Sequence, residues 1–241
     1  MQSIAQHCHE LDRCNQRGGR MLSVLDLLDA GTMNLDLAAY LMARISRGTS
    51  FLVGALPGGA GKTTIMCALL NFVPVECHLA AATSGAVQDA SRGMVSENTC
   101  SICHEIGAGP YFAYLWGRDL RAYCALAAKG IMRATNLHAD TLAEAKAQVC
   151  GDNGVPEAHF NAFGLAAFIR VSGRSRTLVS VHASDEVSPH RQVYDADGQL
   201  DTRGVNADWL AACRDFLARA YASPARTIED TRTLVVKFLG K

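Results

Sequence analysis

Ser50-Phe-Leu-Val-Gly-Ala-Leu-Pro-Gly-Gly-Ala-Gly-Lys-Thr-Thr64 decides how the rest of the chain is read. Residues 50–55 form a short continuous apolar run, the pattern of a strand buried on both faces. A glycine-rich turn follows, and then a helical run over about 62–71. That order suits phosphate binding. Glycines let backbone N–H groups converge on phosphate oxygens, a helix N-terminus adds partial positive charge, and one lysine reaches the β- and γ-phosphates. Pro57, Gly58, Gly59, Ala60, Gly61, Lys62, Thr63 and Thr64 are therefore the candidate nucleotide-binding residues. Lys62 is the phosphate lysine, Thr63 places its hydroxyl on Mg²⁺, and Thr64 supports the loop from one residue deeper. The position six before the lysine, glycine in the full pattern, is Leu56, and Gly54 comes two residues too early to replace it. A working cradle with an altered entry turn is expected; the bland alternative is a structural loop without a ligand.

Upstream, Ser23 can cap a short helix that stops at Gly31, and Asn34 a second one in which Leu35, Ala38, Ala39, Met42 and Ile45 recur at helical spacing. Downstream, strands are expected at 75–83, 99–104 and 131–137, with a polar connector after the first. A long helix is expected over 112–129, carrying Tyr114 and Trp116 and ending at Gly130. Another, over 141–150, is capped by Asp140 or Thr141. Apolar runs at 165–172 and 177–182 flank Gly173-Arg-Ser-Arg176 as a hairpin would, and 191–194 leads into an Asp195-Ala-Asp-Gly198 turn. Helices at 208–222 and 227–238 close the chain. Alternating strands and helices followed by a small antiparallel unit predict an α/β domain: a mainly parallel sheet flanked by helices, with an antiparallel β extension. Residues 1–20 are read as an N-terminal extension or linker, Arg17-Gly-Gly-Arg20 leading into the domain. The main domain is 21–200, and 201–241 is a helical segment packed on it.

Of 241 residues 49% are apolar and 19% charged, enough for a globular core and incompatible with general disorder. Lys+Arg and Asp+Glu both number 23, so the chain has no cationic surplus to release counterions from a polyanion; direct nucleic-acid binding is not expected. Met1 to Arg20 holds His7, Glu10, Asp12, Arg13, Arg17 and Arg20 and no apolar centre, unlike a signal peptide. No stretch has the roughly 18 consecutive apolar residues of a membrane span. A cytoplasmic protein is expected, its nine cysteines reduced and mostly buried. Cys100-Ser-Ile-Cys-His104 matches the haem-attachment pattern, and His7, Cys8, His9 and Cys14 could in principle join it around a metal. Ordinary thiols are the preferred reading of both.

The glycine loop has flanks that resemble a known family. Leu22-Ser-Val-Leu-Asp-Leu-Leu-Asp-Ala-Gly-Thr-Met-Asn-Leu-Asp-Leu-Ala-Ala-Tyr-Leu41 is similar to the approach to the nucleotide site in the traffic ATPases of type II and type IV secretion and of type IV and Tad pili. Cys103-His-Glu-Ile-Gly107 falls where that family has its Walker B segment. Asn136-Leu-His-Ala-Asp-Thr-Leu-Ala-Glu-Ala145 resembles its histidine box, and Phe168-Ile-Arg-Val-Ser-Gly-Arg-Ser-Arg-Thr177 its late hairpin. The resemblance covers roughly residues 20–185 in the family's order. It implies a RecA-like P-loop NTPase that uses ATP and Mg²⁺ and assembles as a hexameric ring. It also implies inner-membrane platform proteins as partners, and peripheral attachment to the inner membrane through them. Glu105 would polarise the attacking water, and His138 would face the γ-phosphate.

The chain also departs from that pattern. The acidic box expected after the second strand has no counterpart in Leu79-Ala-Ala-Ala-Thr-Ser-Gly-Ala86, and Arg92 is the only arginine between Thr83 and Glu105. Gly107 stands in place of an arginine and Asp140 in place of an asparagine; Asp140 reads as a helix cap. Arg174 and Arg176 read as a solvated hairpin tip, with the option of facing a neighbouring subunit. The first functional reading is an ATP-hydrolysing motor domain for protein export or pilus assembly. A second is a nucleotide-binding paralogue with weak or no hydrolysis, serving assembly or regulation. A third is an unrelated P-loop kinase or small NTPase.

Overall fold

The computed structural model describes residues 2–15 and 18–240. Arg17, from the stretch read as linker, lies outside them. The centre of the molecule is β1 (Phe51–Gly54), every residue of which is buried. It lies between β5 (Met132–Leu137) and β6 (Leu165–Ser172), parallel to both. Beyond β5 come β3 (Thr99–Ile106) and β2 (His78–Ala81), again parallel. Beyond β6 come β7 (Ser175–Ala183) and β8 (Arg191–Tyr194), antiparallel. With β4 (Tyr114–Leu115), which pairs with β3 alone, the sheet has eight strands in the order β2-β3-β5-β1-β6-β7-β8. This is an α/β architecture, a mostly parallel sheet with an antiparallel extension, as expected.

Helices cover both faces. One core is built against the sheet by α1 (Ile4–Arg13), α2 (Val24–Asp29), α3 (Leu35–Ile45), α4 (Lys62–Leu70), α9 (Ala207–Ala222) and α10 (Ile228–Leu239). The other is built by α5 (Ser84–Ser91), α6 (Gly117–Ala125), α7 (Leu142–Lys146) and α8 (Glu157–Asn161). Capping places the helix starts. The Ser23 hydroxyl accepts from the Asp26 N–H while the Asp26 carboxylate accepts from the Ser23 N–H, and Asn34 Oδ1 accepts from the Leu37 N–H at 2.8 Å. At the other end of α4, the buried Arg232 guanidinium donates to the carbonyls of Asn71 (2.9 Å) and Val73 (2.7 Å), where the helix leaves its carbonyls unpaired.

Four expectations are corrected. The connector after β2 is helix α5, capped by Thr83 Oγ1; only Val87 and Ala90 are buried on it, too few to make a visible helical stripe. The helix expected from residue 112 starts only at Gly117, with a 3₁₀ turn over Leu126–Lys129 at its end. Tyr114 therefore lies on β4 and Trp116 at the N-cap, because residues 113–115 hydrogen-bond to β3: the His104 N–H to the Ala113 carbonyl and the Gly107 N–H to the Leu115 carbonyl. Nonlocal pairing overrides helix propensity there. The cap of α7 is Thr141, not Asp140. Finally, the loop through Pro156 contains α8.

The N-terminal residues also take a definite form. Ser3 and Gln6 make a capping box for α1, which buries His7, Cys8 and Leu11. The Gln2 side chain accepts from the Leu79 N–H at 2.9 Å, tying the segment to β2.

Candidate functional site

The glycine loop leaves the end of β1 and enters α4. Gly59 (φ +82°) and Gly61 (φ +89°) are left-handed, the conformation that turns successive N–H groups inward and that side chains resist. Gly61 is the N-cap of α4 and makes no side-chain bond, so the N–H groups of the first helical turn, Lys62, Thr63 and Thr64, point out of the helix without an intrahelical acceptor. Leu56 needs no glycine conformation. Its N–H donates to Asp140 Oδ1 at 2.7 Å and its carbonyl lies 2.8 Å from His138 Nδ1. Asp140, expected as a helix cap, instead holds the entry of the loop.

Gly54 has a different task. A Cβ there would stand 2.5 Å from the Ala139 carbonyl oxygen and 2.7 Å from the Phe168 ring, so the strand can approach its neighbours only as glycine.

Lys62, Glu105 and His138 come from three separate elements and meet beside this loop. Lys62 Nζ donates to the Ala55 carbonyl at 3.1 Å and lies 3.2 Å from His138 Nδ1 and 3.4 Å from Glu105 Oε1. His138 Nε2 is 2.6 Å from the same Glu105 oxygen. Lys62 and Glu105 are almost fully buried, whereas His138 is half-exposed. The sheet explains the aim of Glu105. Pairing between β3 and β5 runs to Cys103↔Thr135 and resumes at Ile106↔Leu137, so three steps on β3 match two on β5. The extra residue is a bulge, the device by which a strand redirects a side chain. Tyr114 on β4 adds a longer contact, its hydroxyl donating to Glu105 Oε2 at 3.4 Å.

Behind the lysine, Thr63 Oγ1 accepts from Asn136 Nδ2 at 3.3 Å, and the same amide donates to the His104 carbonyl at 3.2 Å. Asn136 Oδ1 is buried with no hydrogen-bond partner among the described residues, an acceptor left open beside the threonine. Gly58, Gly59, Ala60, Gly61, Lys62, Thr63, Thr64, Glu105 and His138 all border one cleft of about 500 Å³. Pro57 starts the turn, its carbonyl accepting from the Ala60 N–H.

Arg174 and Arg176 lie at the exposed tip of the β6–β7 hairpin, as expected, and that tip also borders this cleft on the same chain. Arg176 Nε donates to the Gly59 carbonyl at 3.3 Å, and a Cβ on Gly61 would touch Arg176 Cδ at 3.4 Å. Strand length accounts for it: β6 pairs with β1 only up to Gly54↔Phe168 and runs on to Ser172, carrying the hairpin over the loop. Arg20 also borders the cleft, held by an ion pair with Asp26 at 2.7 Å. Among the described residues, four cationic side chains, Arg20, Lys62, Arg174 and Arg176, thus line the cleft against one carboxylate, Glu105. Such a charge set attracts a polyanion although the chain as a whole is neutral.

All nine cysteines are free, eight buried and Cys150 half-buried. Cys100 packs into one core and Cys103 into the other, so the Cys-x-x-Cys pair points to opposite faces of the sheet and cannot close on one ligand. Among the described residues no group of three or more His, Cys, Asp or Glu is placed to hold a metal ion. The donor set of the glycine loop, left-handed glycines at a helix N-terminus with one lysine, is of the kind that suits a phosphate. No helix among the described residues is long and apolar enough to cross a membrane.

No protein-family model matches the chain, and no curated protein matches it. Among solved structures it is similar to the VirB11 ATPase of the Brucella suis type IV secretion system, crystallised in complex with sulphate. The identity is 18%, the TM-score 0.47, and the match covers 66% of this chain and 54% of that one. The chain spans about half the length of that protein.

Proposed function

We propose that the cleft binds ATP with Mg²⁺ and that the protein hydrolyses it as the motor domain of a type II or type IV secretion or pilus-assembly system. The observation that carries this reading is the meeting of Lys62, Glu105 and His138 beside a loop with two left-handed glycines at a helix N-terminus. The loop N–H groups and Lys62 would hold the β- and γ-phosphates, and Thr63 would hold Mg²⁺. A cation bound there supplies charge neutralisation on the phosphates. Glu105 is the one carboxylate bordering the cleft and would take the proton of the attacking water. His138 touches both Lys62 and Glu105 and would report the γ-phosphate to the carboxylate. Arg176 reaches the loop from its own chain and offers positive charge that the segment ahead of β3 lacks.

The assignment to export or pilus machinery rests on the order of sequence features across roughly residues 20–185, from the approach helices to the late hairpin. On that reading the protein works as a hexameric ring, cytoplasmic and attached to the membrane through platform proteins. The second reading, a nucleotide-binding subunit with little turnover, is favoured by one observation: Glu105 is already engaged by both Lys62 and His138.

Mg²⁺-dependent phosphate release from ATP, measured across protein concentrations with Lys62→Ala as control, tests the proposal. Release that rises more than linearly with protein and disappears in the control supports a ring ATPase. ATP binding without release above the control overturns the motor and leaves the assembly subunit. Release that needs an added acceptor indicates a kinase.

A further inference from the structure

The back of the cleft holds a second chemical group that the phosphate chemistry does not use. Cys14, the C-cap of α1, borders the cleft, and its Sγ lies 3.3 Å from Nε2 of His104, the residue next to Glu105 on β3. Cys67, on the face of α4 behind the glycine loop, points its Sγ at the Leu11 carbonyl at 3.8 Å, the same carbonyl that accepts the Cys14 N–H at 3.0 Å, which brings the two cysteines to one turn of α1. His104 is buried, and its other ring nitrogen, Nδ1, has no hydrogen-bond partner among the described residues. Its ring packs edge-on against Phe112 at 5.3 Å, and the Arg13 guanidinium stacks on the outer side of Phe112 at 4.7 Å. Two thiols and an imidazole thus converge from α1, α4 and β3, with Cys14 and His104 bordering the cleft and Cys67 buried behind them.

We propose that Cys14 is a thiol-modification site that takes small electrophiles of the hydroperoxide class, with His104 as its positioning residue and Cys67 as its resolving thiol. The Cys14 thiolate attacks one oxygen of hydrogen peroxide. The O–O bond breaks, hydroxide leaves, and Cys14 becomes the sulfenic acid. The Cys67 thiol then attacks that sulfur, the S–O bond breaks, and water leaves with the Cys67 proton, forming the Cys14–Cys67 disulfide. Both thiols are oxidised and one peroxide is reduced to two equivalents of water, the hydroxide taking up the proton that Cys14 lost. The product ties α1 to the helix that carries Lys62 and Thr63. The assignment needs no nucleotide in the cleft and stands whether or not ATP is the ligand.

The other cysteines provide the contrast. Burial pushes Cys8, Cys77, Cys103, Cys124 and Cys213 up to about 12 and raises Cys100 and Cys150 as well, which suppresses their thiolates. Cys14 alone is shifted downward, by the interaction with Cys67 and the His104 hydrogen bond, against the effect of its burial.

Peptide mapping of the full chain by mass spectrometry, after brief exposure to iodoacetamide or to equimolar hydrogen peroxide at pH 7, tests the proposal. Alkylation is expected on Cys14 ahead of the half-buried Cys150, and peroxide is expected to yield the Cys14–Cys67 linked peptide. Cys67→Ser should instead stop at a sulfenic acid on Cys14, trapped by dimedone. His104→Gln should slow alkylation of Cys14 about tenfold while leaving Cys150 unchanged, which a purely structural role for His104 would not do. Modification of Cys150 with Cys14 intact in the wild-type chain overturns the site, and this arm needs no variant to fold. A Cys14 adduct without the Cys67 link overturns the resolving role.

Discussion

Arg176 and Gly59 are 117 residues apart in sequence and joined by a hydrogen bond from the guanidinium Nε to the loop carbonyl. The contact places a hairpin arginine against the glycine loop of its own chain, where the sequence suggested solvent or a neighbouring subunit. It adds a cation beside the loop, at the edge of the cleft that Glu105 also borders.

Arg176→Ala is expected to weaken ATP binding about tenfold, the size of one lost charge-assisted hydrogen bond, and Arg176→Lys to recover part of it. Isothermal titration of the purified chain with ATP and Mg²⁺ reads this. Unchanged affinity in Arg176→Ala would show that the guanidinium serves only the loop carbonyl.

Glu105→Gln keeps the shape of the side chain and removes its charge beside Lys62. Loss of the base is expected to lower turnover by about 10²-fold or more. ATP affinity should hold or rise, because the lysine is released from its carboxylate partner. A variant that binds less ATP and hydrolyses it at the wild-type rate would assign Glu105 to scaffolding.

Gly54→Ala tests the packing that sets the loop against the sheet. The added methyl meets the Ala139 carbonyl at 2.5 Å and the Phe168 ring at 2.7 Å, and β1 is held on both sides by parallel neighbours. A loss of about 1–3 kcal/mol, the usual cost of overpacking, is expected in urea unfolding. A midpoint equal to that of the wild type would mean that β1 has room to move.

His7 makes stability depend on pH. It is buried on α1 with Nε2 3.2 Å from Asn71 Oδ1, and desolvation, with help from the nearby Arg232 charge, lowers its pKa from 6.5 to about 3. Between those values the unfolded chain binds the proton and the folded chain does not, so the folded state loses stability as pH falls below about 6.5. At pH 4.5 the loss amounts to about 2–3 kcal/mol relative to pH 7. His7→Gln should remove that part of the slope in urea titrations at the two pH values, and identical slopes would contradict it.

Most of the fold was legible from local pattern. The glycine loop between an apolar run and a helix, the Ser23 and Asn34 caps and the paired apolar runs around Gly173 all encode their geometry within a few residues. Misreadings fell where partners distant in sequence decide the outcome. The Ala- and Leu-bearing stretch from 112 looked helical throughout, yet its first part is tied to β3 by backbone bonds. Helix α5 buries two side chains and so shows no stripe. Asp140 stands where a cap belongs, but the Leu56 N–H offered it a better donor across the chain.

For the candidate site the division is similar. The sequence by itself pointed to a glycine loop of the phosphate-binding kind and to Glu105 and His138 as its companions, because glycine conformation, a helix N-terminus and one lysine act within a single loop. Tertiary structure alone decided that Lys62, Glu105 and His138 touch, that Arg176 lies over Gly59, and that Cys14 finds His104. Those distances follow from the order of strands in the sheet, the bulge on β3 and the overhang of β6 beyond β1. Each of these is set by backbone pairing between segments far apart in the chain, so local sequence does not encode it.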